Sequence, residues 1–358
     1  GFSCNFQDNS FMKILNSFLK TLGLLTAVIS GLLFSSTVAN AFTVGIAFPT
    51  QNDTRWYTEG FMLNNKLKAA GFNTELFFAG DLDNGLQLKQ LTRMLNSNVD
   101  ILVIASIDGF SLVDTLKPAQ DKKIPIISYD RLIMNTDAPT YYASVDSEMI
   151  GELQGQYIID QLQPGSGSVK QIEIFTGSPD DNNARIFYEG AMKKLGGFID
   201  LGYITVKSGE VKQEDTAIQN WSPDLANKRM NDLLDKVGYG PNGERLDAIL
   251  APSDAIADGI VFALKKRGYT ADNMPKITGC DSTPAALERI QKGEQGMTIY
   301  KSNELCDTVV QMVKDISQGK PVDVNDNFTY DNGFKIMDSV LCKPELVDYS
   351  NVDIVKNY

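Results

Sequence analysis

The feature that most constrains this chain is a regular alternation of two sequence periods. Strand-like runs at Thr43–Phe48, Thr74–Ala79, Asp100–Ala105 and Pro125–Tyr129 are separated by amphipathic stretches, in which Leu86, Leu88, Leu91 and Leu95 suit one helix face. A βαβ series of this kind forms a parallel sheet with right-handed crossovers and places ligands beyond the carboxyl ends of its strands. After Tyr141–Val145 a second series begins. A helix from Ser147 leads into strands at Val169–Thr176, Ile204–Lys207, Asp247–Ala251, Lys276–Gly279 and Met297–Tyr300. The expected fold class is α/β, with two doubly wound parallel-sheet lobes. Gly240-Pro241-Asn242-Gly243 reads as a surface turn in one of the longer connections.

The first 41 residues carry a different message. Met12 and Lys13 open a basic region that Lys20 completes, Leu22 to Phe34 is apolar, and Ala39-Asn40-Ala41 offers small residues at a cleavage position. Residues 1–41 are therefore set aside as upstream sequence and a signal peptide, cleaved after Ala41, and the mature chain is expected to start at Phe42 in the periplasm. Residues 1–11 precede the start Met and read as upstream translation or an expression scar. The apolar stretch is shorter than the roughly 20 residues a membrane span needs. The chain has a formal net charge of −12, and the leader holds Lys13 and Lys20 against Asp8, so its loss makes the balance more negative. That balance argues against nucleic acid and anionic membrane as partners, and an uncharged ligand fits better. Beyond the leader the cysteines are Cys280, Cys306 and Cys342. An odd number in a disulfide-permissive compartment leaves two readings open: buried thiols, or a Cys306–Cys342 bridge.

Candidate site residues collect at the strand ends. The most concentrated group is Pro179-Asp180-Asp181-Asn182-Asn183-Ala184, between a strand and a helix that begins near Arg185. Carboxylates and carboxamides there make a polar station for a hydroxyl-rich ligand, although Asp and Asn are also what helix starts prefer. Other strand ends repeat the pattern. Arg55 and Trp56 follow the first strand, Asp108 the third, and Asp130 and Arg131 the fourth; the second series adds Trp221, Ser253-Asp254, Asp281 and Lys301. Each has an ordinary alternative as a cap, a solvated charge or a core aromatic. Together they match what a sugar needs, because Asp and Asn bridge vicinal hydroxyls, Arg and Lys donate to them, and an aromatic face covers the C–H side of a pyranose.

These residues resemble the periplasmic sugar-binding proteins of ABC transporters, in the branch of xylose-binding and multiple-monosaccharide-binding proteins. The likeness runs from Val44-Gly45-Ile46-Ala47 to Thr329-Tyr330-Asp331-Asn332-Gly333. It is carried most specifically by Thr54-Arg55-Trp56, Tyr129-Asp130-Arg131-Leu132, Gly177 to Ala184 and Thr298-Ile299-Tyr300-Lys301. The resemblance implies a type I periplasmic binding protein fold whose lobes are joined by a three-segment hinge. The first lobe would comprise 42–145 plus 302–328, and the second 146–301 plus 329–358. It implies sugar contacts from Arg55, Asp130, Arg131, Asp181, Asn183, Trp221, Asp281 and Lys301. It also implies a monosaccharide ligand such as xylose, glucose or galactose, an ABC transporter permease as partner, and a monomer with no cofactor. A chemoreceptor or sensor kinase is the branch's alternative partner. Cys280 stands where relatives commonly carry Gln, and Ser253 where xylose-binding relatives carry Asn, so the preferred sugar stays open.

Competing classes find less in the sequence. There is no histidine, which removes Ser-His-Asp and Cys-His catalysis and the usual imidazole metal ligands. A two-carboxylate glycosidase mechanism survives that test. Gly165-Ser166-Gly167 is a lone turn and not a phosphate loop. Asp323-Val324-Asn325-Asp326-Asn327 begins like a calcium loop, but Phe328 and Phe334 occupy the Gly and Glu positions, so no metal is expected. A sugar-responsive repressor would need a basic helix-turn-helix, and none is present.

Overall fold

The computed structural model describes residues 42–300 and 304–355; the leader and Lys301 lie outside them. The first sheet is built from β1 (Thr43–Phe48), β2 (Asn73–Phe78), β3 (Ile101–Ile104), β4 (Ile126–Tyr129), β5 (Tyr141–Val145) and β11 (Ser339–Cys342), in the order β11-β5-β4-β3-β1-β2 with every pairing parallel. Helices α1 (Thr54–Ala69), α2 (Asn84–Asn96) and α3 (Val113–Asp121) make the crossovers. Because both faces are covered, strands such as Ile101–Ile104 are apolar throughout and wholly buried. The strand order reverses at β1, with β2 on one side and β3 on the other, so a crevice opens where the β1 and β3 chains leave the sheet.

The second lobe repeats the plan with shorter strands. Its order is β7-β6-β8-β9, from β6 (Lys170–Ile174), β7 (Ile204–Thr205), β8 (Ala248–Leu250) and β9 (Lys276–Ile277), all parallel. Beside it β10 (Met297–Tyr300) pairs antiparallel with β12 (Glu345–Asp348), and Gly296 N to Ile277 O and Asp281 N to Ile299 O, at 2.9 and 3.0 Å, tie that pair to the β9 side. Around the sheet lie α4 (Ser147–Leu162), α5 (Asn182–Asp200), α6 (Gln213–Thr216), α7 (Pro223–Val237), α8 (Asp254–Lys266), α9 (Pro284–Gln291) and α11 (Val352–Val355). Helices α4 and α5 approach to backbone contact: a Cβ on Gly151 would strike the Phe187 carbonyl, and one on Gly190 the Glu148 carbonyl. Only glycine permits that closeness, so the two helices behave as one block.

The chain crosses between lobes after β5, between β10 and α10 (Glu304–Ser317), and between β11 and β12. Helix α10 packs on α1 and β5. The tail is different. Residues 329–358 were expected in the second lobe, but β11 pairs with β5, Ser339 opposite Tyr142 and Cys342 opposite Val145, and only after Lys343-Pro344 does β12 join β10. The preceding loop also belongs to the first lobe. Asn332 Nδ2 donates to Thr136 O at 2.8 Å and to Ile133 O at 3.2 Å, and Lys335 pairs with Asp137 at 2.8 Å.

Candidate functional site

Loops from both lobes enclose a cavity of about 320 Å³, a size suited to a small molecule. Its first wall grows out of β1 and β4. Asp53 caps α1 by accepting from Arg55 N at 2.8 Å, which sets Arg55 and Trp56 in the first turn. The Arg55 guanidinium donates to Glu59 at 2.8 Å and to Asp130, and stands 3.7 Å from Asp281 across the cleft. Burial works against its charge, yet Asp130, Glu59 and Asp281 outweigh that effect and hold it well above the ordinary arginine pKa. After β4 the chain turns through Asp130, whose φ of 59° is left-handed, so Asp130 and Arg131 both reach the cleft. Arg131 pairs with Asp181 at 3.0 Å and donates to Ser106 O at 3.1 Å. Trp56, 3% exposed, stands edge-on to Phe48 and carries the guanidinium carbons of Arg55 and Arg131 at 4.4 and 5.2 Å from its ring centre.

The second wall comes from the α5 start and the turn at Gln219–Trp221. Asp181 is the N-cap of α5, accepting from Asn183 N at 2.9 Å. Asn183 Nδ2 crosses the cleft to Asp130 O at 3.0 Å, where the Tyr142 hydroxyl also donates at 2.8 Å. Capping and cleft lining thus coincide in the same residues. Trp221 follows Asn220, both with φ above 50°, and its ring sits edge-on to Phe187 at 6.1 Å. A Cβ on Gly177 would fall inside that ring, so the glycine makes room for it. The Trp221 Nε1 is buried with no hydrogen-bond partner among the described residues. Asp281, at φ 103°, completes the lining.

The structure therefore brings together Arg55, Trp56, Asp130, Arg131, Asp181, Asn183, Trp221 and Asp281. Two expected residues do not line the cavity. Asp108 accepts from Phe110 N at 2.8 Å and closes its own turn. Asp254 is 1% exposed and spends its carboxylate on Thr298 Oγ1, Gln295 Nε2 and Thr283 N at 2.8 to 2.9 Å, while its neighbours Ser253 and Ala255 face the cavity instead. Burial, and then the charge of Asp281, push the Asp254 carboxyl up to about 7 against those donors. Sequence reasoning missed Thr50, Asn52, Asp81, Phe187 and Asn220. Phe187 was within reach, since it follows Asn183 by four residues on one helix face, and Asp81 lies just past β2. Cys306 and Cys342 are buried thiols and not a bridge.

The model of the periplasmic binding protein domain matches residues 44–321. The chain belongs to that family. Members of this periplasmic binding protein family with similar sequences include the multiple sugar-binding periplasmic protein of Azospirillum brasilense, 43% identical over 314 residues and covering 86% of each chain. The multiple sugar-binding periplasmic receptor of Rhizobium radiobacter is 41% identical, covering 88% of this chain and 90% of its own. Among solved structures, an ABC transporter solute binding protein from Clostridium phytofermentans with bound β-D-glucose superposes with a TM-score of 0.83 at 40% identity, covering 87% of this chain and 96% of that one. The two-lobed α/β architecture with its three crossings is the type I periplasmic binding protein fold.

Proposed function

We propose that this chain is a periplasmic solute-binding protein that captures a monosaccharide of the xylose, glucose or galactose class by hinge closure and delivers it to an ABC transporter permease. The observation that supports it most is the seam across the cleft. Arg131–Asp181, Arg55–Asp281 and Asn183–Asp130 each join one lobe to the other around the cavity. A ligand that hydrogen-bonds to these groups contacts both lobes only when they are closed, and so shifts the population toward closure. Both walls come from one chain, so a monomer suffices. Micromolar affinity needs about −8 kcal/mol, or roughly 0.7 kcal/mol for each of about twelve heavy atoms, within the range small ligands reach. The leader through Ala41 would direct export and be removed.

The role is binding and not turnover. Three carboxylates facing the cavity are each engaged by a donor, Asp130 by Arg55 and Asn183, Asp181 by Arg131 and Asp281 by Arg55, which suits groups that hold hydroxyls in place. Both tryptophans of the chain line the cavity, so intrinsic fluorescence reports on it. The chain from Phe42 onward, titrated with xylose, glucose and galactose, is expected to bind at micromolar level, compact in small-angle scattering, and release the sugar unchanged. Failure to bind any of the three, or product from aryl glycosides, would overturn the proposal.

A further inference from the structure

Tyr330 lies in the loop before β11, away from the cavity, and no contact in the proposed capture uses it. Its ring is 2% exposed and packs edge-on against Tyr142 at 5.1 Å. The loop is fastened to the first lobe through the Asn332 bonds to Ile133 and Thr136. Its hydroxyl reaches the other lobe. It accepts from Ser147 N at 3.0 Å and Glu148 N at 3.4 Å, and donates to Asp146 Oδ1 at 2.9 Å. Asp146 is the N-cap of α4 and already accepts from Met149 N at 3.1 Å. The tyrosine thus takes up two more of the N–H groups that a helix start leaves unmet.

We propose that Tyr330 is a positioning residue that holds the closed form together at the hinge and so sets sugar affinity without touching sugar. This inference rests on the capture reading above. Helix α4 is locked to α5 by the Gly151 and Gly190 contacts, and α5 opens with Asp181 and Asn183. Ser147 Oγ also donates to Asn183 Oδ1 at 3.2 Å. A grip on the α4 start therefore fixes where the second wall stands relative to Asp130 and Arg131. Opening turns the α4–α5 block away from the first lobe, and the hydroxyl then loses the helix start to water.

The test is Tyr330→Phe in the chain from Phe42 onward, which deletes only the hydroxyl and leaves the ring packed. Xylose, glucose and galactose, or whichever of them the wild type binds, should each weaken by the same factor, about 5- to 20-fold. Their order of preference should not change, whereas loss of a sugar contact would reorder them. Scattering should show the two saturated proteins equally compact, with the variant needing more sugar to reach that state. Amide exchange at Ser147 and Glu148 should quicken in the sugar-saturated variant. Unchanged affinity, tighter binding or a reordered preference would overturn the inference, as would unchanged exchange at those two amides in the saturated protein. A wild type that binds sugar without compacting would instead overturn the capture reading, whatever the variant does.

Discussion

The two walls of the cleft reach the same cavity by different physics. On the first wall the guanidinium of Arg55 is matched by Glu59 and Asp130, and Trp56 lies under two guanidiniums. On the second wall the Trp221 ring stands over Gly177 on a left-handed turn, and its Nε1 has no partner among the described residues. One wall is an ionic lattice fixed by its own charges; the other is a shaped apolar face with polar ends. The first should therefore be inseparable from folding, and the second should be separable from it.

The largest effect is expected at Arg55. Arg55→Ala leaves Asp130 and Glu59 without their cation, so affinity should fall by more than about 100-fold and unliganded stability by about 3–5 kcal/mol, as when a buried pair is broken from one side. Urea unfolding of the sugar-free protein checks it, and an unchanged midpoint would break the contrast. Trp221→Ala should weaken binding by more than about tenfold while moving the sugar-free melting temperature far less than Arg55→Ala does. An equal loss of stability would make Trp221 a core residue and remove the distinction.

A third test sharpens the comparison from behind the second wall. Asp254 is lifted from 3.8 to about 7 by burial and by Asp281, so between those values the folded chain keeps a proton that the unfolded chain has released. Stability should accordingly fall as pH rises through that window, by at most about 1.4 kcal/mol per unit. Asp254→Asn should flatten that slope, as read from melting temperatures between pH 4 and 7. A slope that persists in the variant would mean that the other carboxylates carry it.

Strands β1 to β5 of the first sheet could be read from sequence, most plainly where an apolar run is bounded by polar turns, as at Ile101–Ile104. β11 and β12 could not. Ser339-Val340-Leu341-Cys342 and Glu345-Leu346-Val347-Asp348 are short, and Lys343-Pro344 between them gives no sign that one pairs with Tyr142–Val145 and the other with Met297–Tyr300. In the site, the strand-end rule found eight lining residues but admitted Asp254, because sequence marks a helix start without saying which way its side chain faces. Asp254 turns inward because Thr298, Gln295 and Thr283 offer it donors from distant parts of the chain.

The buried thiols put this fold on a timetable. Burial pushes Cys306 up to about 12 and raises Cys342, so neither supplies a thiolate to an oxidant once α10 and β11 have docked. Before docking both are ordinary cysteines in a compartment that makes disulfides. Since β11 has to find β5 across nearly two hundred residues of chain, its docking is also the step that closes the window for wrong pairing at Cys342. Correct assembly is then a race that β11 has to win against oxidation.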